Sequence, residues 1–250
     1  MEKEQNIRLV PGADTAILFI HGILGTPDQF KPFLPLVPSN WSFCNMLLKG
    51  HCGSVREFSA ASMAEWRQQV HETLRELQMS HDRIIIAAHS MGTLFAVQEA
   101  IKMPVDALFL LNTPLRIHIT IRMLKIIWGV FRGNIRPDDD WMLAAQNAYG
   151  IERDTHLLRY LSWIPRYFEL FSEIRKTRKI VPDLTVKCQV YLSARDEMVS
   201  MKSGRIFENN ACAAVKVLDS SGHVYYSPED LRFFQNEFCN LIQKCQNEPG

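Results

Sequence analysis

The stretch Ile84-Ile85-Ile86-Ala87-Ala88-His89-Ser90-Met91-Gly92-Thr93-Leu94-Phe95 holds two kinds of structure with one serine between them. Ile84 to Ala88 is continuously apolar, which fits a strand buried on both faces in a parallel sheet rather than one with a wet face. Thr93-Leu94-Phe95 opens a helix. The chain must therefore reverse around Ser90, and the strand and helix backbones converge there. Only small side chains fit such a turn, and Ala88 and Gly92 stand two positions to either side of the serine. The turn would expose the Ser90 hydroxyl at the carboxyl edge of the sheet, at a helix N-terminus.

Working outward, further apolar runs read as strands: Thr15 to Ile20, Phe43 to Leu48, Val105 to Leu111, Val186 to Leu192 and Ala213 to Leu218. Helical patterns lie between them. Ser62-Met63-Ala64-Glu65 is a capping box ahead of an amphipathic stretch to about Met79. Ser227-Pro228 supplies an N-cap and first-turn proline for a last helix to about Lys244. Strand alternating with helix predicts an α/β fold, a doubly wound and mostly parallel sheet. The alternation stops after Thr113-Pro114 and resumes near Val186, which predicts a core of residues 1–114 and 182–250 and a helical cap at 115–181. Within that cap Ile117, Ile121, Leu124, Trp128 and Phe131 form an apolar stripe beside Arg116, Arg122, Lys125 and Arg132, the pattern of a basic amphipathic helix. Asp154 would cap a second helix through Leu157, Leu161, Ile164, Phe168 and Phe171, kinked or broken by Pro165.

Composition narrows the class. The 250 residues are 47% hydrophobic and 22% charged, as in folded globular chains. Twenty-eight Lys and Arg against twenty-seven Asp and Glu give +1, too little to favour nucleic acid. The charge is uneven, however: residues 116–180 carry twelve basic and seven acidic side chains. The longest uncharged stretch, Pro32 to Leu48, is interrupted by Pro35, Pro38, Ser39 and Asn40, so no segment reads as an integral membrane helix. The opening Met1-Glu2-Lys3-Glu4-Gln5 lacks the pattern of a signal peptide. Six cysteines without a CxxC pair read as reduced core thiols of a cytoplasmic protein. No metal site or cofactor is expected.

A serine attacks only when a positioned base takes its proton. His223, in Leu218-Asp219-Ser220-Ser221-Gly222-His223, follows a strand and precedes the last helix. Asp196, in Val190-Tyr191-Leu192-Ser193-Ala194-Arg195-Asp196-Glu197, follows the strand before it. Glu197 stays open as the orienting acid. His21 and His51 read as loop-shaping, His89 as pointing away from its neighbour Ser90, and His71, His81, His118 and His156 as helical or surface residues. After Leu111 comes Asn112-Thr113-Pro114, with no carboxylate, and Asp219 reads as structural. The loop Phe19-Ile20-His21-Gly22-Ile23-Leu24-Gly25 would offer the Ile23 N–H to an oxyanion, beside the Met91 N–H after the nucleophile.

Together His21-Gly22, Leu48-Lys49-Gly50-His51, His89-Ser90-Met91-Gly92, Ala194-Arg195-Asp196-Glu197-Met198-Val199 and Ser221-Gly222-His223 resemble the α/β-hydrolase superfamily, especially its bacterial carboxylesterase and monoacylglycerol lipase branch. Ala88 departs from the usual first glycine of the elbow, and Cys52 stands where the family often has glycine. The resemblance implies Ser90 as nucleophile, His223 as base and Asp196 as acid, in the family's chain order. It implies hydrolysis of small-molecule carboxylic esters with small or medium-chain apolar acyl groups through an acyl-enzyme. The same scaffold also serves thioesters, amides and carbon–carbon bonds, or a small-molecule receptor with residual turnover. The cap aromatics and aliphatics Ile121, Leu124, Trp128, Phe131, Trp141, Trp163 and Phe168 suggest an apolar substrate moiety, and the basic stripe leaves room for peripheral lipid contact.

Overall fold

The computed structural model describes residues 5–132 and 138–247, and no side chain between Gly129 and Asp138. Phe131 and Arg132 of the stripe therefore lie outside the described side chains. Seven strands form one sheet in the order β1-β3-β2-β4-β5-β6-β7. They are β1 (Asn6–Arg8), β2 (Thr15–Ile20), β3 (Ser42–Asn45), β4 (Arg83–His89), β5 (Ala107–Leu111), β6 (Lys187–Ser193) and β7 (Ala213–Leu218). All pairs are parallel except β1 against β3. The helices are α1 (Val55–Ala60), α2 (Met63–Gln78), α3 (Met91–Ala100), α4 (Ile121–Arg132), α5 (Asp140–Ala148), α6 (Ile164–Ile180), α7 (Gly204–Phe207) and α8 (Pro228–Asn247).

The apolar runs are buried on both faces, as parallel strands require. Ala16, Leu18, Ile20, Ile84, Ile86 and Ala88 pack with side chains of α2, α3 and α6. The alternate residues Ile17, Phe19, Ile85 and Ala87 pack with Phe30, Phe33 and, from α8, Phe234 and Phe238. Carbon-rich layers of this kind supply most of the folding free energy, at roughly 25 cal/mol per Å² of apolar surface removed from water.

Several elements depart from the sequence reading. β3 ends at Asn45 rather than Leu48: Met46 N–H still bonds the Phe19 carbonyl of β2, but Leu48 N–H leaves the sheet for the His21 ring. The exposed three-residue β1 carries too little pattern to read. In the insert Asp154 does not cap a helix directly: its carboxylate accepts the His156 N–H at 2.8 Å and pairs with Arg159 at 2.8 Å. A 3-10 turn, Leu157–Trp163, follows. Pro165 then starts α6 in its first turn instead of kinking it, the position where a missing N–H costs nothing. The later part of α6 packs on the body. Ile174 joins the core beside α3, and Gln98 donates to Glu173 at 2.9 Å and to Thr177 at 2.8 Å.

None of the six cysteines forms a disulfide; Cys44, Cys188 and Cys245 are buried as core residues, whereas Cys52, Cys212 and Cys239 are half-buried. Burial pushes the Cys44 thiol up to about 12. No helix among the described residues is long and apolar enough to cross a membrane.

Candidate active site

Ser90 sits between β4 and α3 with φ 50° and ψ −122°, a conformation that non-glycine residues rarely adopt and that costs of order 1–3 kcal/mol. The surroundings over-determine it. Ser90 N–H donates to the Leu111 carbonyl at 2.9 Å, and its own carbonyl accepts from Thr93 N–H and Oγ1 at 3.0 and 2.6 Å. Gly92 lies so close to β2 that a Cβ there would stand 2.3 Å from the Ile20 carbonyl oxygen. Gly92→Ala is thus expected to cost about 1–3 kcal/mol or more, as overpacking against rigid backbone does. Thermal unfolding at matched concentration checks this, and an unchanged Tm would show that α3 can move away.

His223 lies between the serine and a carboxylate. Its Nε2 is 2.9 Å from Ser90 Oγ and its Nδ1 2.8 Å from Asp196 Oδ2. With Nδ1–H donated to the carboxylate, Nε2 presents a lone pair to the serine hydroxyl. The second Asp196 oxygen accepts the Met198 and Val199 N–H groups, each at 2.7 Å, which fixes the carboxylate plane. All three residues are buried. Burial pushes the His223 imidazole down, but the charge and hydrogen bond of Asp196, joined by Glu197, outweigh it and hold His223 above its ordinary value.

The structure separates the two acids left open by the sequence. Asp196 meets the imidazole, whereas Glu197 Oε2 accepts the backbone N–H of His223 at 3.1 Å. The His223 carbonyl is held as well, accepting from His89 Nε2 at 2.8 Å and Asn112 Nδ2 at 3.1 Å. Both ends of the histidine's backbone are therefore tied down by side chains. Asn112 reaches further: its Oδ1 accepts the Ser193 N–H at 3.0 Å, joining β5 to β6, and its φ is 51°. His89 points away from Ser90 yet serves the same loop, and burial lowers it to about 3, so it stays neutral.

The two N–H groups expected to bind an oxyanion belong to the residue after Ser90 and to the loop that passes against the Ser90 turn. Met91 begins α3, so its N–H has no acceptor within the helix. Ile23 follows Gly22, where a Cβ would lie 2.9 Å from Ser90 Cβ, so this loop passes directly against the nucleophile's turn. His21 fixes the loop: Nδ1–H donates to the Gly22 carbonyl at 2.8 Å and Nε2 accepts the Leu48 N–H at 3.1 Å. Burial lowers this imidazole to about 4 and keeps it neutral.

Helix α5 covers these loops. Gly150 N–H donates to the Leu24 carbonyl at 3.0 Å, and Trp141 stacks on Tyr225 with ring centres 4.8 Å apart. The same indole packs on Gly222, where a Cβ would meet it at 2.0 Å. A cavity of about 490 Å³ lies beneath α5, with His89, Phe30, Leu111, Ala148, Val224 and Tyr226 in its walls. A larger one, about 770 Å³, lies at the opposite edge around Arg83, Asp106 and Cys188, away from Ser90. The chain entering the cap also grips the acid loop. His118 N–H donates to the Met198 carbonyl at 2.9 Å, His118 Nε2 to the Asp196 carbonyl at 2.9 Å and Thr120 Oγ1 to the Glu197 carbonyl at 3.1 Å.

The cap side chains offered for substrate contact are placed differently. Ile121, Leu124, Trp128 and Phe168 are exposed, and Trp163 packs edge-on to Phe58 in the body. Among the described side chains of that group, Trp141 is the one that reaches the His223 loop. The cause is that the apolar stripe of α4 turns its wider part outward, while Ile126 points in. Sequence reasoning missed Asn112, His89 and His118 as supports. Their signal was position: Asn112 stands just past a strand end, and His89 two residues after Ala87 on the same sheet face.

A model of the alpha/beta hydrolase family matches residues 17–234. Among solved structures, the chain is similar to a metagenome-derived lipolytic enzyme of the LipS and LipT pair (16% identity, 97% of this chain and 98% of that one, TM-score 0.75). It is similar to a monoacylglycerol lipase from Paleococcus ferrophilus (15%, 98% of both chains, TM-score 0.63). It also resembles a meta-cleavage product hydrolase from Pseudomonas fluorescens IP01 (15%, 96% and 94%, TM-score 0.61). At these identities the likeness concerns the fold. No curated protein matches the chain in sequence.

Proposed function

The chain belongs to the alpha/beta hydrolase family, and from that premise we propose that it is a serine hydrolase of carboxylic esters with small or medium-chain apolar acyl groups. One observation carries the reading: Ser90 Oγ, His223 and Asp196 form an unbroken hydrogen-bonded line of 2.9 and 2.8 Å at the carboxyl edge of the sheet. Ser90 attacks the ester carbonyl while His223 Nε2 takes its proton. The Ile23 and Met91 N–H groups bind the oxyanion, and the strained turn keeps the Met91 N–H aimed at it. The imidazolium then protonates the departing alcohol. Water, deprotonated by His223, releases the acid from the acyl-enzyme. Asp196 holds the tautomer and stabilises the imidazolium throughout. Support for an apolar acyl group comes from Phe30, Leu111, Ala148 and Val224 in the cavity beside the His223 loop. The lipolytic activities named for two of the similar folds agree with it.

Labelling by a fluorophosphonate, read by intact mass, tests the nucleophile, and an ester panel graded by acyl length tests the substrate. Folded protein that stays unlabelled and cleaves no member of the panel would overturn the reading. The base also predicts a pH profile. His223 works only when neutral and its proton affinity is raised, so kcat/KM should fall on the acid side with a midpoint above the ordinary 6.5. An acid limb centred below that value would remove His223 from the role.

A further inference from the structure

We propose that the outward face of α4 is a docking surface for an anionic lipid surface. Helix α4 and the segment leading into it carry Ile117, Ile119, Ile121, Leu124, Ile127 and Trp128, each from 46% to 75% exposed. At 100° per residue Ile121, Leu124, Ile127 and Trp128 fall within one arc of roughly 120°. Ile126, on the other side, is 6% exposed and holds the helix to the protein. The helix thus satisfies its packing with few residues and turns its broad apolar arc to water, the reverse of an ordinary surface helix. Contiguous apolar surface of this kind marks an interaction site rather than chance exposure.

Charge selects the occupant. Residues 116–132 hold Arg116, Arg122, Lys125 and Arg132 and not one Asp or Glu. Lys125 stands about 40° beyond the edge of the apolar arc, whereas Arg122 lies toward the Ile126 side of the helix, where its guanidinium stacks on the Trp141 ring, 4.4 Å away. A second copy docked α4 against α4 would set these cations against an identical run that holds no acid between residues 116 and 132. An anionic lipid surface answers both halves: headgroups take the cations while the apolar arc enters the interface.

Docking in this orientation has a consequence for the site. The lead-in segment is hydrogen-bonded to the Asp196–Val199 loop through His118 and Thr120. A lipid surface seated on α4 therefore lies beside the acid loop, where an ester carried in the lipid can be handed over. The inference concerns the surface and is read by binding, so it stands or falls apart from the chemistry proposed for Ser90.

The test uses the whole chain, sedimented with vesicles of neutral phosphatidylcholine alone or mixed with phosphatidylglycerol. Partitioning onto the anionic vesicles should exceed that onto neutral ones by on the order of tenfold or more, and fall with added salt. Leu124→Glu with Ile127→Glu should remove it, and Lys125→Glu should weaken it on anionic vesicles alone. Thermal unfolding of each variant checks that the fold is intact. Protein that ignores anionic vesicles, or variants that bind as wild type does, would overturn the proposal. So would a dimer in solution that Leu124→Glu dissociates, since a second copy would then own the face.

Discussion

Ser90→Ala is expected to lower kcat by about 10⁴-fold or more and to abolish fluorophosphonate labelling, with the fold unchanged. The size follows from what the substitution removes. His223 and the oxyanion donors remain, so the variant still orients an ester, but water must replace a nucleophile fixed 2.9 Å from its base. Alanine also suits the site sterically: it keeps the Cβ and its contacts with Gly22, and it tolerates the φ of 50° no worse than serine. Stopped and steady-state assays on the best ester of the panel give the number. A variant retaining turnover within tenfold of wild type would mean that another group attacks.

The second large effect distinguishes two adjacent carboxylates. Asp196→Asn keeps an oxygen for the Met198 and Val199 N–H groups, which leaves the amide nitrogen facing His223 Nδ1. That nitrogen donates, so Nδ1 must accept and the proton moves to Nε2, where it blocks the serine. A loss of about 10⁴-fold in kcat near neutral pH is expected. Glu197→Gln behaves differently. Its amide oxygen still accepts the His223 N–H, so the loop keeps its hydrogen bond and loses one nearby negative charge. Turnover should fall by less than about tenfold, while the acid limb of the pH profile moves down, because one of the groups that raises His223 is gone. If the two variants exchanged these phenotypes, Glu197 would be the orienting acid.

Much of the sheet was legible because each strand announces itself by the same physical demand. Ile84 to Ala88 or Ala107 to Leu111 must be apolar on both faces, since helices cover both. The turn at Ser90 was legible because converging backbones exclude side chains, and Gly92 records that exclusion in one letter. What the sequence did not disclose depends on distance in the chain. Asn112 stands 111 positions from His223, yet its amide holds the histidine's carbonyl, and nothing local marks it beyond its place after a strand. The cap was hardest. A stripe at helical spacing says that a helix has two faces, but not which one meets the protein. The sequence reading pointed the stripe at the substrate, whereas among the described α4 side chains the buried one is Ile126, and the stripe faces outward.

The hydrogen bonds from His118 and Thr120 to the acid loop limit how this enzyme can be re-engineered. Caps on such scaffolds invite exchange, because an insertion between two strands looks severable at its ends. Here His118 and Thr120 brace the backbone of Asp196 and of the two residues after it, through carbonyls that any replacement segment would leave facing empty space or water. A graft that ends the native chain before residue 120 would trade the helices and loosen the carboxylate in one stroke. A graft that begins after it inherits a finished acid, and the choice of splice point then separates specificity from turnover.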